Sequence, residues 1–178
     1  MTRVFVFPGQ GAQAIGMGKA LAEAYPAARA VFDEVDAALG EKLSALIWEG
    51  QIEELTLTQN AQPALMAHSL AVLRVLEKEG GFSLRDKAVV VAGHSLGEYS
   101  ALVCSGALAF ADAVKLVELR GLAMQEAVPE GTGAMAAIIG LDNESIAANC
   151  EKAAQGQVVS PVNFNSPGQV VIAGHKEA

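Results

Sequence analysis

The sequence predicts an α/β fold: a parallel sheet covered by helices, followed by a smaller α+β part. Two observations lead to this prediction. Short apolar runs alternate with long helical patterns over residues 1–127, which is typical of a parallel sheet with helices on both faces. Over residues 128–178 the order changes to β-α-β-β, which is two thirds of a split β-α-β-β-α-β unit. We therefore expect a domain boundary at residue 127.

The elements of the first part follow from hydrophobic periodicity. Val4–Phe7 is a predicted strand that leads into the glycine-rich turn Pro8–Gly11. A second buried strand is predicted at Ala88–Ala92, with a helix from Glu98 onward. The other predicted helices cover Met17–Tyr25, Ala27–Leu39, Thr58–Glu79 and Phe110–Ala127.

The second part begins with a predicted strand at Ala134–Gly140 and a helix over Asn143–Ala154, for which Asp142 is the expected N-cap. Two further strands, Val158–Phe164 and Gln169–Ala173, flank a proline-glycine turn. The residues from Gly174 onward resemble the opening of another helix. Because a sheet would otherwise keep a bare edge, we expect this subdomain to be incomplete and the chain to be part of a longer product.

The segment between the second strand and its helix carries the strongest chemical signal. Gly93-His94-Ser95-Leu96-Gly97 fits the pattern G-x-S-x-G. Between a strand and a helix, this pattern is typical of a nucleophile elbow, in which small residues allow a strained turn to lift the serine hydroxyl. We therefore expect Ser95 to be a nucleophile and the N–H of Leu96 to face a developing oxyanion. The alternative is a glycine-rich turn that only packs a strand against a helix.

Bulk properties exclude several classes of protein. The 178 residues are 52% hydrophobic with a net charge of −8, which argues against binding to nucleic acid or to anionic membranes. The apolar runs are too short for a transmembrane helix or a secretory signal, and the three histidines show no metal-binding spacing. We expect a cytoplasmic protein without a metal or cofactor, whose two cysteines are buried free thiols.

Spacing alone indicates several other candidate residues. The backbone N–H of Gln10 lies in the first glycine-rich turn and is a candidate second oxyanion donor. Arg120 follows a helical apolar pattern, where an arginine usually lies along apolar surface or pairs with a carboxylate; its planar fork would also suit a substrate carboxylate. His94 adjoins Ser95, points elsewhere and is expected to order the turn. His68 is expected to be a core histidine, and His175 to lie in a frayed terminus.

Several motifs in this order resemble one family, the malonyl-CoA:acyl carrier protein transacylases of fatty acid synthesis. The motifs span the whole chain and are F-P-G-Q-G-A-Q at the N-terminus, T-Q-N-A-Q-P-A at Thr58–Ala64, G-H-S-L-G-E-Y-S-A-L at Gly93–Leu102, R-G at Arg120–Gly121 and N-F-N-S-P-G-Q-V-V-I-A-G at Asn163–Gly174. The resemblance implies a hydrolase-like α/β core with an inserted ferredoxin-like subdomain. It also implies malonyl-CoA as substrate and acyl carrier protein as partner.

Carried over by position, the resemblance makes Ser95 the acylated nucleophile and Arg120 the residue that binds the malonyl carboxylate. Gln10 and Leu96 become the oxyanion donors, and Gln62 and Asn163 become residues that line the site. The catalytic histidine of the family lies in a motif after the second subdomain, so this chain is expected to lack the base and to be impaired alone.

Two alternatives remain open at this stage. A serine esterase or thioesterase would use the same elbow with His175 as base, and its acid would be Asp112, Asp142 or Glu144. A non-enzymatic module would bind acyl carrier protein or CoA without acylation of Ser95.

Overall fold

The computed structural model describes residues 3–129 and 131–178 of an α/β protein, and these residues divide into two compact units. The N-terminal unit ends at Met124 and the C-terminal unit begins at Gln125. The boundary expected from the sequence, at residue 127, and the observed division after Met124 both lie in the helix Phe110–Ala127. The assignment of the two parts to a hydrolase-like core and a ferredoxin-like subdomain stays a prediction.

The N-terminal unit is mostly helical, because long amphipathic segments separate its strands. In chain order its elements are β1 (Arg3–Phe7), α1 (Lys19–Ala24), α2 (Pro26–Leu39), α3 (Leu43–Glu49), α4 (Ile52–Thr56), α5 (Thr58–Gly80), α6 (Leu84–Lys87), β2 (Ala88–Gly93), α7 (Leu96–Ser105) and α8 (Phe110–Ala127), the last of which continues into the C-terminal unit.

The core of the N-terminal unit surrounds α5, the 23-residue helix that follows α4. Apolar side chains of α2, α3, α7 and α8 pack against it, since each of these helices has one apolar face. The largest fully buried apolar side chains of this core are Phe32, Val35, Leu43, Ile47, Leu55, Met66, Leu70, Leu96, Val114 and Val117.

Strands β1 and β2 pair in parallel, with Val4 opposite Val90 and Val6 opposite Ala92. Helix α7 contacts both strands, and Phe7 at the end of β1 is buried. On the face opposite to Phe7, Val4 and Val6 are 58% and 71% exposed. Coverage of both faces of this sheet therefore stays a prediction, since Val4 and Val6 are exposed among the described residues.

Several elements differ from the sequence-based expectation in this unit. Helices α3, α4 and α6 are not among the predicted elements, since segments of seven, five and four residues are too short to establish a helical period. The helix after the elbow begins at Leu96 and not at Glu98, because the helical hydrogen bonds start directly after the strained serine.

The C-terminal unit consists of β3 (Gly133–Ile139), α9 (Asn143–Ala154), β4 (Val159–Ser166) and β5 (Gln169–His175). The strands form an antiparallel sheet in the order β3-β5-β4, and Ile146 and Cys150 of α9 pack against Val170 of β5. The expected N-cap is confirmed, since the Asp142 carboxylate accepts a hydrogen bond from the backbone N–H of Ser145 at 2.8 Å.

The expected opening of a helix at Gly174 is wrong, and so is the expected fraying at His175. Both residues lie in β5, where Gly174 pairs with Ala134 of β3 and with Val159 of β4. A Cβ on Gly174 would lie 2.0 Å from the carbonyl oxygen of Val158, so this glycine allows the strand to approach closely. The pairing on both sides orders the strand up to His175.

Other features concern the described residues only. Within residues 3–129 and 131–178, no helix is both long enough and apolar enough to cross a bilayer. In the same ranges, His, Cys, Asp and Glu side chains do not cluster in threes or more as a metal ion would require. Cys104 and Cys150 are free thiols, and burial raises the pKa of Cys104 to about 12.

Candidate active site

Ser95 occupies a strained turn between β2 and α7. Its backbone has φ 53° and ψ −114°, a conformation with positive φ that non-glycine residues rarely adopt. The turn is held by its own backbone, since the N–H of Gly97 donates to the carbonyl of His94 at 2.9 Å. A strained, exposed serine at the start of a helix is the geometry of the predicted nucleophile elbow.

The two glycines of the motif are required by close packing. A Cβ on Gly93 would lie 1.9 Å from the carbonyl carbon of Gly97, and a Cβ on Gly97 would lie 2.3 Å from the carbonyl oxygen of Phe7. Real Cβ atoms do not make such contacts with backbone. The elbow therefore folds tightly against the end of β1 only because both positions lack side chains.

Arg120 of α8 reaches the serine directly. Its Nη2 donates to Ser95 Oγ at 3.0 Å, and its Nη1 donates to Gln62 Oε1 at 2.5 Å. The guanidinium also lies over the ring of Tyr99, 5.8 Å from the ring centroid. The structure therefore brings three of the predicted site residues, Ser95, Arg120 and Gln62, into one hydrogen-bonded chain.

Helices α5 and α8 touch backbone to backbone beside this chain of hydrogen bonds. A Cβ on Gly121 would lie 2.5 Å from the Cα of Gln59 and 2.7 Å from the carbonyl oxygen of Thr58. The glycine after Arg120 thus permits the close crossing that lets the arginine reach Gln62, one helical turn beyond Gln59.

The predicted oxyanion donors lie at the start of α7 and in the turn after β1. Leu96 is the first residue of α7, so its N–H has no acceptor within the helix. Gln10 is exposed in the turn after β1, and this turn contacts the elbow: a Cβ on Gly9 would lie 3.0 Å from the carbonyl oxygen of His94. His94 is exposed, and its backbone N–H donates to Phe7 at 3.3 Å, which fits the expected role in ordering the turn.

Asn163 lies in the C-terminal unit. It is half-buried in β4 and pairs with Val171 of β5. Its predicted contact with substrate stays a prediction.

The base and one of the acids of the esterase alternative already have structural partners. His175 lies in β5, where its Nδ1 is 3.0 Å from the backbone N–H of Val158. Asp142 caps α9, and the hydrogen bond from the backbone of Ser145 lowers the pKa of its carboxyl group. Both side chains therefore serve the fold of the C-terminal unit.

Two neighbours of Arg120 were not predicted as parts of the site. Tyr99 follows Ser95 by one helical turn, and this i, i+4 spacing could have indicated it. Met124 follows Arg120 by one turn on α8, and its Sδ lies 3.5 Å from Gln62 Nε2. The sequence indicated Met124 only as an apolar neighbour of the arginine.

The chain matches known proteins over nearly its whole length. Residues 4–178 match the family model described as acyl transferase domain. The chain is 63% identical over 174 residues to the malonyl CoA-acyl carrier protein transacylase of Escherichia coli strain K12, covering 98% of this chain and 55% of that protein.

Solved structures agree with this match. One is a malonyl-transacylase in complex with its type II PKS acyl-carrier protein, at 59% identity and a TM-score of 0.89, covering 98% of this chain and 55% of that one. Another is the acyl-carrier-protein-S-malonyltransferase from Bartonella henselae, at 53% identity and a TM-score of 0.93, with the same coverage. The chain spans about half the length of these relatives. The chain therefore belongs to the acyl transferase domain family.

Proposed function

We propose that the protein carrying this sequence is an acyltransferase of fatty acid biosynthesis. It transfers a malonyl group from malonyl-CoA to the pantetheine thiol of acyl carrier protein through a malonyl-serine intermediate. The names of its relatives support this proposal, and one of the similar structures is a complex with an acyl carrier protein. Malonyl-CoA and acyl carrier protein are the proposed substrate and partner.

The observation that carries the proposal is the 3.0 Å distance between Arg120 Nη2 and Ser95 Oγ. A malonyl ester on that oxygen places its free carboxylate one methylene beyond the ester carbonyl. A guanidinium so close to the ester oxygen is within reach of this carboxylate and suits it as a bidentate donor. An acyl chain without a carboxylate would leave the guanidinium unpaired, which disfavours it.

In the first half-reaction Ser95 Oγ attacks the thioester carbonyl of malonyl-CoA. The new Oγ–C bond replaces the C–S bond, and CoA leaves as the thiol with the proton that the Ser95 hydroxyl gives up. The N–H groups of Leu96 and Gln10 stabilise the oxyanion of the tetrahedral intermediate. The resemblance assigns the role of base to a histidine in a motif that follows the second subdomain, and His94 supports the turn.

In the second half-reaction the pantetheine thiol of acyl carrier protein attacks the malonyl-serine ester. A C–S bond forms, the Oγ–C bond breaks, and Ser95 regains its proton. Arg120 keeps the carboxylate bound through both halves. Gln62 and Asn163 are the further residues that the resemblance assigns to the site, and the reaction uses no metal or cofactor.

The proposed architecture follows the same family. Residues 1–127 form the N-terminal portion of a hydrolase-like core, and residues 128–178 begin an inserted ferredoxin-like subdomain. The parallel pairing of β1 with β2 and the β3-β5-β4 order support this assignment. We propose a cytoplasmic location, in keeping with the supply of CoA thioesters.

Intact-mass spectrometry after incubation with malonyl-CoA tests the proposal. We expect a malonyl adduct on the full polypeptide that carries this sequence, lost in Ser95→Ala and removed from the wild type by acyl carrier protein with a free pantetheine thiol. Ser105→Ala is the matched control, because this exposed serine ends α7 and its Oγ donates to the carbonyl oxygen of Leu102 in the same helix.

Each other result has a definite meaning. An adduct that persists in Ser95→Ala overturns the nucleophile assignment. Tight binding of malonyl-CoA without any adduct favours a non-enzymatic binding module. Rapid hydrolysis of simple esters without transfer to acyl carrier protein favours the esterase alternative.

A further inference from the structure

Gln62 is a buried amide at the point where α5 meets α8. Its side chain lies among buried residues of α5, and the whole residue is 0% exposed. Its Oε1 accepts a hydrogen bond from Arg120 Nη1, and its Nε2 points to the thioether of Met124. A buried amide is costly unless both of its ends have partners, and both partners of this amide belong to α8.

We propose that Gln62 is a positioning residue that holds the guanidinium of Arg120 in front of Ser95. The inference rests on the proposed function and goes beyond the lining role that the resemblance assigns to Gln62. Because the residue has no exposed surface, it acts on the substrate through the arginine and not by touching the substrate itself.

Guanidinium geometry makes one anchor sufficient to aim the fork. The group is planar and rigid, so fixing Nη1 on Gln62 also fixes the direction of Nη2. Nη2 then lies 3.0 Å from Ser95 Oγ. The cation–π contact with the Tyr99 ring does not fix the direction of the guanidinium N–H groups, whereas the Gln62 hydrogen bond is directional.

The neutrality of Gln62 suits this role. An amide oxygen accepts from the guanidinium without cancelling its charge, so the full positive charge remains for a substrate carboxylate. A carboxylate at the same position would hold the arginine equally well but would compete with the substrate for it.

Backbone packing fixes the distance that the hydrogen bond must span. At Gly121 the two helices approach so closely that a Cβ would lie 2.5 Å from the Cα of Gln59. Gln62 follows Gln59 by about one turn, and Arg120 directly precedes Gly121. The reach of the arginine to the glutamine is therefore set by two helix backbones in contact.

The test compares Gln62→Leu with Met66→Leu, using the rate of Ser95 acylation by malonyl-CoA and by acetyl-CoA. Met66 is fully buried on the same helix, so its substitution controls for a general change in core packing. In Gln62→Leu we expect malonyl acylation to fall about 10- to 100-fold, as for loss of a hydrogen bond to a charged group. Acetyl acylation should change by less than about threefold, because acetyl does not use the fork.

A crystal structure of each variant gives a readout independent of activity. In Gln62→Leu the guanidinium should leave Ser95 Oγ, whereas in Gln62→Glu it should remain there while malonyl acylation still falls. A merely structural role would lower malonyl and acetyl acylation by the same factor, and this result would overturn the inference. So would an unmoved guanidinium in Gln62→Leu. Absence of acylation in the wild type would instead contradict the proposed function, and the crystal structures would still decide the role of Gln62.

Discussion

The two units of this protein differ most in the amount of apolar side chain that each buries. Among the described residues, twenty buried side chains form one core in the N-terminal unit, whereas Ile146, Cys150 and Val170 form the core of the C-terminal unit. The large core includes Leu96, directly after the nucleophile candidate, and Val117, one turn before Arg120. The side chains proposed for chemistry thus extend from the better-packed unit.

This difference indicates why the site can keep a strained serine. Ser95 holds positive φ at a cost on the order of 1–3 kcal/mol, and such strain persists only where the surroundings fix it. In the N-terminal unit the buried face of α7, two glycine contacts and the Arg120 hydrogen bond provide those surroundings. The C-terminal unit offers the remaining candidate, Asn163, on a sheet with a thin core.

The largest expected effect comes from removing the Phe32 ring. Phe32 is fully buried and packs edge to face on Trp48 at 5.1 Å between ring centroids. We expect Phe32→Ala to lower the free energy of unfolding by about 3–5 kcal/mol. Urea unfolding measures this change. Phe164→Ala is the matched control in the C-terminal unit, where the ring is 63% exposed, and a comparable loss there would contradict the comparison of the two cores.

Loss of the guanidinium fork should be the next largest effect. We expect Arg120→Ala to reduce malonyl acylation by about 10- to 100-fold, the equivalent of roughly 1.5–3 kcal/mol for a hydrogen-bonded charge. The ratio of the malonyl acylation rate to the acetyl acylation rate should therefore fall. Arg74→Ala is the control, because that arginine pairs with Glu77 on the surface. An unchanged ratio in Arg120→Ala would remove the basis for the proposed carboxylate contact.

The small core makes one valine important in the C-terminal unit. Val170 is fully buried, with 0% of its surface exposed to solvent. Truncation to alanine removes about two methylene equivalents, which lowers the free energy of unfolding by about 1.5 kcal/mol. We expect Val170→Ala to accelerate amide hydrogen exchange throughout α9, β4 and β5. Val158→Ala, at a position 61% exposed, should not do so. Equal acceleration in β1 and β2 would show that the two units do not unfold separately.

The sequence predicted the long elements well, because their periodic patterns span three or more turns and end in recognisable signals. Helix α8 has the predicted bounds Phe110–Ala127, and α9 has the predicted bounds together with its Asp142 cap. Helices α3, α4 and α6, of seven, five and four residues, were missed, since so few residues carry little helical period. The six-residue helix α1 was predicted, within the longer pattern Met17–Tyr25. Strand β5 was predicted at Gln169–Ala173, but its last two residues, Gly174 and His175, were not, because the residues that pair with them lie in β3 and β4.

The candidate site also has a part that the sequence predicts and a part that it does not. The motif around Ser95 is local, so the sequence alone indicated the elbow. The hydrogen bond between Arg120 and Gln62 joins residues 58 positions apart and depends on the close helix crossing at Gly121. No spacing rule predicts such a crossing, and only the resemblance placed both residues near the substrate.

The smallest expected effect concerns pH and the half-buried His68 of α5. Burial lowers the pKa of His68 below its ordinary value of 6.5, so the folded protein favours the neutral ring more than the unfolded chain does. The stability that the neutral ring contributes is present above about pH 6.5. It is lost as the pH falls through the lowered folded-state pKa, because the unfolded chain takes up the proton first.

His68→Gln should therefore flatten the decline in the free energy of unfolding between pH 7 and pH 5. Met66→Leu, which alters the same helix without removing a titrating group, should keep the wild-type slope, and an unchanged slope in His68→Gln would show that this ring is no more desolvated in the large core than in the unfolded chain.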